Sequence, residues 1–252
     1  METTSVLSKA REKLIDMVKD HNLTGERVNV TIGTLSADQA IGSPVRPDFA
    51  LLGGKEVMIE AEFKGSFGQA FTSQPQNYEG SLEEIINLNL DSFNNRAIFS
   101  ATLNAVMAYL GKVSGMRHCR NDEPEKCAAE IAGSLLKEFG RVKVGLVGYQ
   151  PAILSHLVEH FGADNVKCSD LTTANIGSYK SGVQILDGQA ENMNLVSWCD
   201  LLLVTSSTVV NSTFDQLQEL CKSQGKKLIV FGVTGAGISA LFDLRRLCPF
   251  AH

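Results

Sequence analysis

The chain has 252 residues, with 28 Asp and Glu against 23 Lys and Arg, a net charge of −5 and no run of basic residues. That balance lacks the positive footprint of a nucleic-acid or anionic-membrane binder, and no apolar run approaches the roughly 18 residues of a membrane span. A soluble cytoplasmic protein acting on a small molecule is the class left standing, and the length suits two domains of ordinary size.

The opening METTSVLSKAREKLIDMVKDH is charged, without the apolar stretch of a signal peptide, and predicts a helix over Ser5 to His21 with Leu7, Leu14, Ile15 and Val18 near helical spacing. Strands follow. RVNVTIGT alternates apolar and polar residues, and EVMIEAEF and FGQAFTS flank KGS, where Gly65 suits a hairpin turn needing positive φ. This is the pattern of an antiparallel meander.

Ser81 and Glu84 spell a capping box at the head of SLEEIINLNL. The next helix, NNRAIFSATLNAVMAYLG, is expected to open on an Asn cap and to close at Gly111, and it is apolar nearly all round, as a buried helix is. One face carries small residues, Ala97, Ser100, Ala101, Ala108 and Gly111, around the single amide Asn104. Another element can approach that face closely. Asn104 must then bond either to neighbouring backbone or to a ligand, since a buried unsatisfied amide costs about 1 to 3 kcal/mol.

The stretch MRHCRNDEPEKCAAE, Met116 to Glu130, concentrates a histidine, two cysteines and carboxylates. Asp122 and Glu125 read as a capping box, with Pro124 in the first helical turn. Cys127 falls in line with Ile131, Leu135 and Phe139 as a small core residue. His118 and Cys119 remain as metal-ligand candidates, of a type suited to zinc or a softer transition metal, with a structural loop as the alternative.

From about Arg141 the pattern changes to alternating strands and helices: VKVGLVG, PAILSHLVEHFG, NVKCSD, VQIL, CDLLLVTSS, STFDQLQELCKSQG and KKLIVFG. Continuous apolar runs such as Leu201 to Val204 mark strands covered on both faces, as in a parallel, doubly wound sheet. The six cysteines, all in the second half, include no C-x-x-C pair and are expected as reduced thiols.

Ligands of such sheets bind outside the carboxyl ends of the strands. The loops there supply Gly148, Tyr149 and Gln150, then Asp170, then Thr205, Ser206, Thr208 and Asn211 within TSSTVVNST, then Gly232 and Thr234 within GVTGAG. Asn211 or Ser212 is expected to cap the following helix. Asp170 lies about twenty residues beyond the first loop, where an acidic group holds a ribose hydroxyl, and it serves equally as a turn former. A single glycine at the first turn departs from G-x-G-x-x-G, which argues against an NAD enzyme, and no G-x-S-x-G elbow supports a serine hydrolase.

Taken together, LNA at Leu103 to Ala105, VGLVGYQPAIL from Val144 and CDLLLVTSSTVVNSTFDQL from Cys199, in this order, resemble a family of heavy-metal-chelation proteins. The resemblance covers most of the chain. It implies an α/β protein whose enolase-N-terminal-like α+β domain, residues 1–115, is joined by a loop and helix, residues 116–140, to a Rossmann-like, mostly parallel domain, residues 141–252. It also implies a cleft between the domains, holding Asn104 and the loops named above, that binds or processes a small polar molecule or metal chelate. GVTGAGI stands where the family has a proline-bearing loop.

Two alternatives stand beside that reading. One is a Rossmann-type enzyme using a nucleoside cofactor such as S-adenosylmethionine, with Asp170 on the ribose; the other is direct metal binding by His118 and Cys119. The expected partner is a small-molecule ligand, a transition metal or metal chelate is the expected cofactor class, and a homo-oligomer is left open. Catalytic residues, substrate and reaction are unassigned.

Overall fold

The computed structural model describes residues 5–32 and 56–252. Helix α1 (Val6–Asp20) starts on Ser5, whose hydroxyl accepts the Ser8 N–H, and buries Leu7, Leu14 and Val18. Strands β1 (Arg27–Ile32), β2 (Val57–Phe63), β3 (Ser66–Thr72) and β4 (Tyr78–Ser81) form an antiparallel sheet in the order β3-β2-β1-β4. The last two residues of the expected first strand, Gly33 and Thr34, lie outside the described residues. Lys64 and Gly65 both have positive φ, 49° and 82°, the mirror-image turn whose twist matches a two-residue hairpin loop.

Both bonds of the Ser81–Glu84 capping box are present at α2 (Leu82–Ile86). Helix α3 (Phe93–Tyr109) is capped by Ser92, whose hydroxyl accepts the Asn95 N–H, so the asparagines expected as caps sit inside the first turn. The small face of α3 receives β3. A Cβ on Gly68 would lie 2.4 Å from both the Ala101 oxygen and the Ala105 nitrogen, so only glycine allows strand and helix to come this close.

Helix α4 (Glu123–Phe139) begins where the sequence placed it, but by other means. Asp122 is already helical in φ and ψ and makes no cap bond; its carboxylate pairs with Lys126 at 2.6 Å. Glu123 takes the reaching-back role instead, accepting the Arg120 N–H at 2.7 Å.

The carboxyl-terminal half contains β5 (Val144–Val147), α5 (Pro151–Phe161), β6 (Val166–Asp170), β7 (Tyr179–Lys180), β8 (Val183–Asp187), α6 (Asn192–Trp198), β9 (Leu201–Thr205), α7 (Phe214–Ser223), β10 (Lys227–Phe231), α8 (Ala236–Leu241) and β11 (Arg246–Leu247). The seven-stranded sheet has the order β11-β10-β9-β5-β6-β8-β7, parallel except for β7. Sequence pattern missed α6, α8, β7 and β11: each is short, and α8 grows out of the glycine-rich loop that reads as a turn.

The run Leu201 to Val204 shows why continuous apolarity meant burial on both faces. Leu201 and Leu203 pack with Cys127, Ile131, Leu154 and Leu157 under α4 and α5. Leu202 and Val204 join Leu195, Val196, Phe214 and Leu217 on the other face. That second cluster continues through α1 and α3 to Ile59 and Phe63 of the antiparallel sheet, so the two sheets share one apolar core. Among the described residues, no helix is long and apolar enough to cross a membrane.

Polar side chains also link the halves. The Asp215 carboxylate accepts the Val6 N–H at 2.8 Å. Asn104 is fully buried; its Nδ2 donates to the carbonyls of Gln69, Val233 and Thr234 at 3.0 to 3.1 Å, and its Oδ1 accepts the Gly237 N–H at 2.8 Å.

Candidate functional site

Outside that shared core, the carboxyl ends of the parallel strands border a cleft of about 760 Å³, with Glu56, Phe71, Ser73 and His118 contributing from the amino-terminal side. Its size falls within the range of small-molecule sites. Strand order changes direction between β5 and β9, and at this switch point loop amides and helix amino ends collect.

Gly148 follows β5 with φ of 89°, and a Cβ there would stand 2.4 Å from Thr205 Cγ2. The two loops therefore touch because the residue is glycine. Gln150 caps α5 by accepting the Ile153 N–H at 2.6 Å, ahead of Pro151. Tyr149 donates its N–H to Asp170 Oδ2 at 2.7 Å, and Lys180 stands over its ring at 5.9 Å.

Asp170 is the organiser of its loop. Besides the Tyr149 N–H, its carboxylate accepts the Thr172 N–H at 2.7 Å and the Asn175 amide at 3.3 Å. Of the hydroxyls after β9, Thr205 accepts from the Ser207 N–H, and Thr208 donates to the Thr205 carbonyl at 2.6 Å, closing a tight turn. Asn211 Oδ1 accepts from the Thr213 N–H and hydroxyl, which sets the entry to α7 in place of the side-chain cap expected from Asn211 or Ser212.

The cleft is lined by Gly148, Tyr149, Gln150, Asp170, Thr205, Ser206, Thr208, Asn211 and Gly232, and by His118 and Cys119. Two residues singled out as ligand contacts stand elsewhere. Asn104 spends its amide on backbone, as above, and Thr234 is buried with its hydroxyl accepting the Phe71 N–H at 3.0 Å. Both act as links between the halves.

The histidine and first cysteine are held in the wall by a chain of contacts. Arg117 makes a bidentate pair with Glu60 at 2.8 and 2.9 Å and lies over the Phe67 ring at 3.8 Å. Gln69 donates to Glu60 and accepts the His118 N–H at 2.7 Å. The His118 ring meets Phe71 edge-on, with Nδ1 2.6 Å from the Cys119 oxygen and 3.7 Å from the Cys119 sulfur. Desolvation lowers the His118 pKa, which favours the neutral imidazole that a metal requires.

Sequence reasoning placed Cys127 in the core; it is buried, but it also lines the cleft. Its thiol contacts both Cys119 and Cys248, and the Cys119 contact with desolvation pushes it up to about 12. The Cys127 contact and burial also push the Cys248 thiol well up. All three cysteines are free thiols. No local spacing announces this group, because Cys248 arrives through β11, far along the chain.

Glu56 was also missed. The residue keeps solvent contact, yet lost hydration of its carboxyl and the charge of Asp170 push its pKa above the usual carboxylate range.

Strand order sets the layout. Cys248 follows β11 at one edge, and Asp170 ends β6 four strands away, about 19 Å at the usual interstrand spacing of about 4.8 Å. Thiols and imidazole gather toward one end, and hydroxyls, amides and carboxylates occupy the middle and the other end.

A family model described as "Putative heavy-metal chelation" (DUF364) matches residues 132–245. Over those residues the chain is similar to that family. The DUF364 match spans the sheet from β5 to the loop before β11 and most of the cleft loops. Two solved DUF364 proteins, both titled as of unknown function, share the fold over a longer stretch. One, from Pyrococcus horikoshii, is 18% identical with a TM-score of 0.54, covering 92% of this chain and 80% of its own. The other, from Desulfitobacterium hafniense DCB-2, is 15% identical with a TM-score of 0.50, covering 91% and 82%. A search of curated proteins finds no match.

Proposed function

We propose that the cleft binds a metal chelate, an oxygen-rich small molecule carrying a soft or borderline metal ion. The observation that carries this reading is that one cavity is lined by two chemically different donor sets. Thr205, Ser206, Ser207, Thr208 and Asn211 offer hydroxyl and amide groups to the organic part. His118, Cys119, Cys127 and Cys248 offer imidazole and sulfur to the metal. The family description agrees with metal handling at this coarse level.

Mutual contact and burial raise the Cys127 and Cys248 thiols, so metal binding to them displaces protons and strengthens as pH rises. The nucleoside-cofactor reading has weaker support, because the Asp170 oxygens are already committed to the Tyr149 and Thr172 N–H groups and to Asn175.

Calorimetric titration with zinc citrate, zinc chloride and citrate separately tests the proposal. The expected result is tightest binding of zinc citrate, weakened by both Thr205→Val and Cys119→Ser. Equal affinity for zinc chloride, with no effect of Thr205→Val, would replace the chelate with the bare ion; no heat with any of the three would remove the site.

A further inference from the structure

On α5, away from the cleft, His156, Glu159 and His160 each offer one ligand atom, and these three atoms lie within 4.8 Å of one another. The chain spells them H-x-x-E-H, which on a helix puts the histidines one turn apart on the same side. Helical spacing alone leaves such side chains free to splay. Here their orientation is fixed from behind.

His156 Nε2 faces the Glu125 carboxylate of α4 at 3.4 Å, while its Nδ1 faces Glu159 Oε2 at 3.1 Å. A carboxylate only accepts, so His156 Nδ1 donates to Glu159 in the metal-free protein; a bound cation would displace that proton, leaving the ring's other proton on Nε2 facing Glu125. This is the carboxylate–histidine arrangement that sets tautomer and ring angle at metal centres. His160 Nδ1 stands 2.8 Å from the His156 carbonyl oxygen, so as a donor it leaves the Nε2 lone pair for a metal. Gly133 of α4 faces that nitrogen without crowding it: even a Cβ there would come no closer than 3.9 Å to Nε2. Both histidines are half-buried and Glu159 is exposed, which leaves room for solvent ligands on the outer side.

We infer that His156, Glu159 and His160 form a second metal site, for a divalent first-row transition cation such as nickel, copper or zinc, with Glu125 as a positioning residue. Two imidazoles and a carboxylate are the donor set such ions take. The H-x-x-E-H spelling also occurs in zinc hydrolases, where the glutamate is the base. Here Glu159 faces His156 itself, and the inference is of binding. The site shares no residue with the cleft, so it stands or falls independently of the chelate proposal.

Nickel is the probe, since it favours imidazole. Titration of the full chain by calorimetry should show a site whose affinity falls on the order of a hundredfold in His160→Ala and His156→Ala, and about tenfold in Glu125→Gln. His156→Gln and His160→Gln, which keep helix propensity and most of the volume, should show the same loss with an unchanged melting temperature in the absence of metal. Cys119→Ser should leave this nickel site intact. Unchanged nickel affinity in the two His→Gln variants would overturn the inference, and so would a loss that follows Cys119→Ser instead.

Discussion

Asn104→Ala tests whether one amide holds the two halves at the spacing the cleft needs. The substitution strips a bond from the buried Gly237 N–H and from the carbonyls of Gln69, Val233 and Thr234. An orphaned buried N–H costs about 1 to 3 kcal/mol, and carbonyls less, since each retains a second lone pair. Removing three heavy atoms from a fully buried site adds about 1 kcal/mol for the residual void. The sum is about 3 to 5 kcal/mol. With an unfolding entropy of about 2.1 cal/mol/K per residue, this lowers Tm by about 6 to 10 °C. Scanning calorimetry and urea unfolding measure both quantities. Asn104→Asp should do at least as much harm, because it turns a donor facing three carbonyls into an acceptor. A loss below about 1 kcal/mol in both variants would refute the assignment of Asn104 as the link.

Gly148→Ala places a methyl against Thr205 at a φ of 89°, so a destabilisation of about 1 to 3 kcal/mol and weakened zinc citrate binding are expected together, checked by melting and titration. Gly68→Ala meets backbone atoms of α3 as well as the Asn104 Cβ and should cost more, with little soluble protein recovered on expression. His118 has a folded pKa below its unfolded value near 6.5, so its contribution is present above about pH 6.5 and is lost as pH falls from there toward the folded value. Urea midpoints at pH 7.5 and pH 5 should therefore differ more in the native chain than in His118→Gln. Cys127, with its thiol at about 12, should resist iodoacetamide at pH 7.5 despite lining the cleft, as peptide mapping would show, whereas fast labelling would contradict its protonated state.

The fold was legible wherever burial left a periodic trace. Leu201 to Val204 announced a strand covered on both faces, Gly65 a tight hairpin, and the small residues of α3 a close approach, which Gly68 supplies. The shared core was not legible, because which helix faces which sheet is decided by contacts between distant segments. Caps were read less well than helices. Asp122 and the Asn94–Asn95 pair are suitable residue types, but Glu123 and Ser92 make the bonds, one or two positions away.

The candidate site was partly legible for a similar reason. Loops at strand ends follow from topology, so the hydroxyls after β9 and the glycine after β5 were identified in advance. The thiol group was hidden, since Cys119, Cys127 and Cys248 meet only through the pairing of β11 with β10 and the packing of α4. Asn104 showed the reverse: its burial was predicted, but sequence could not say that backbone from both halves would bond both ends of its amide.

The most direct test is a zinc anomalous map from crystals grown with zinc citrate. The account predicts a zinc ion within about 2.3 Å of at least one cleft sulfur among Cys119, Cys127 and Cys248, with citrate density against the Thr205 to Thr208 turn. Zinc found only outside the cleft, with no density along that turn, would contradict it.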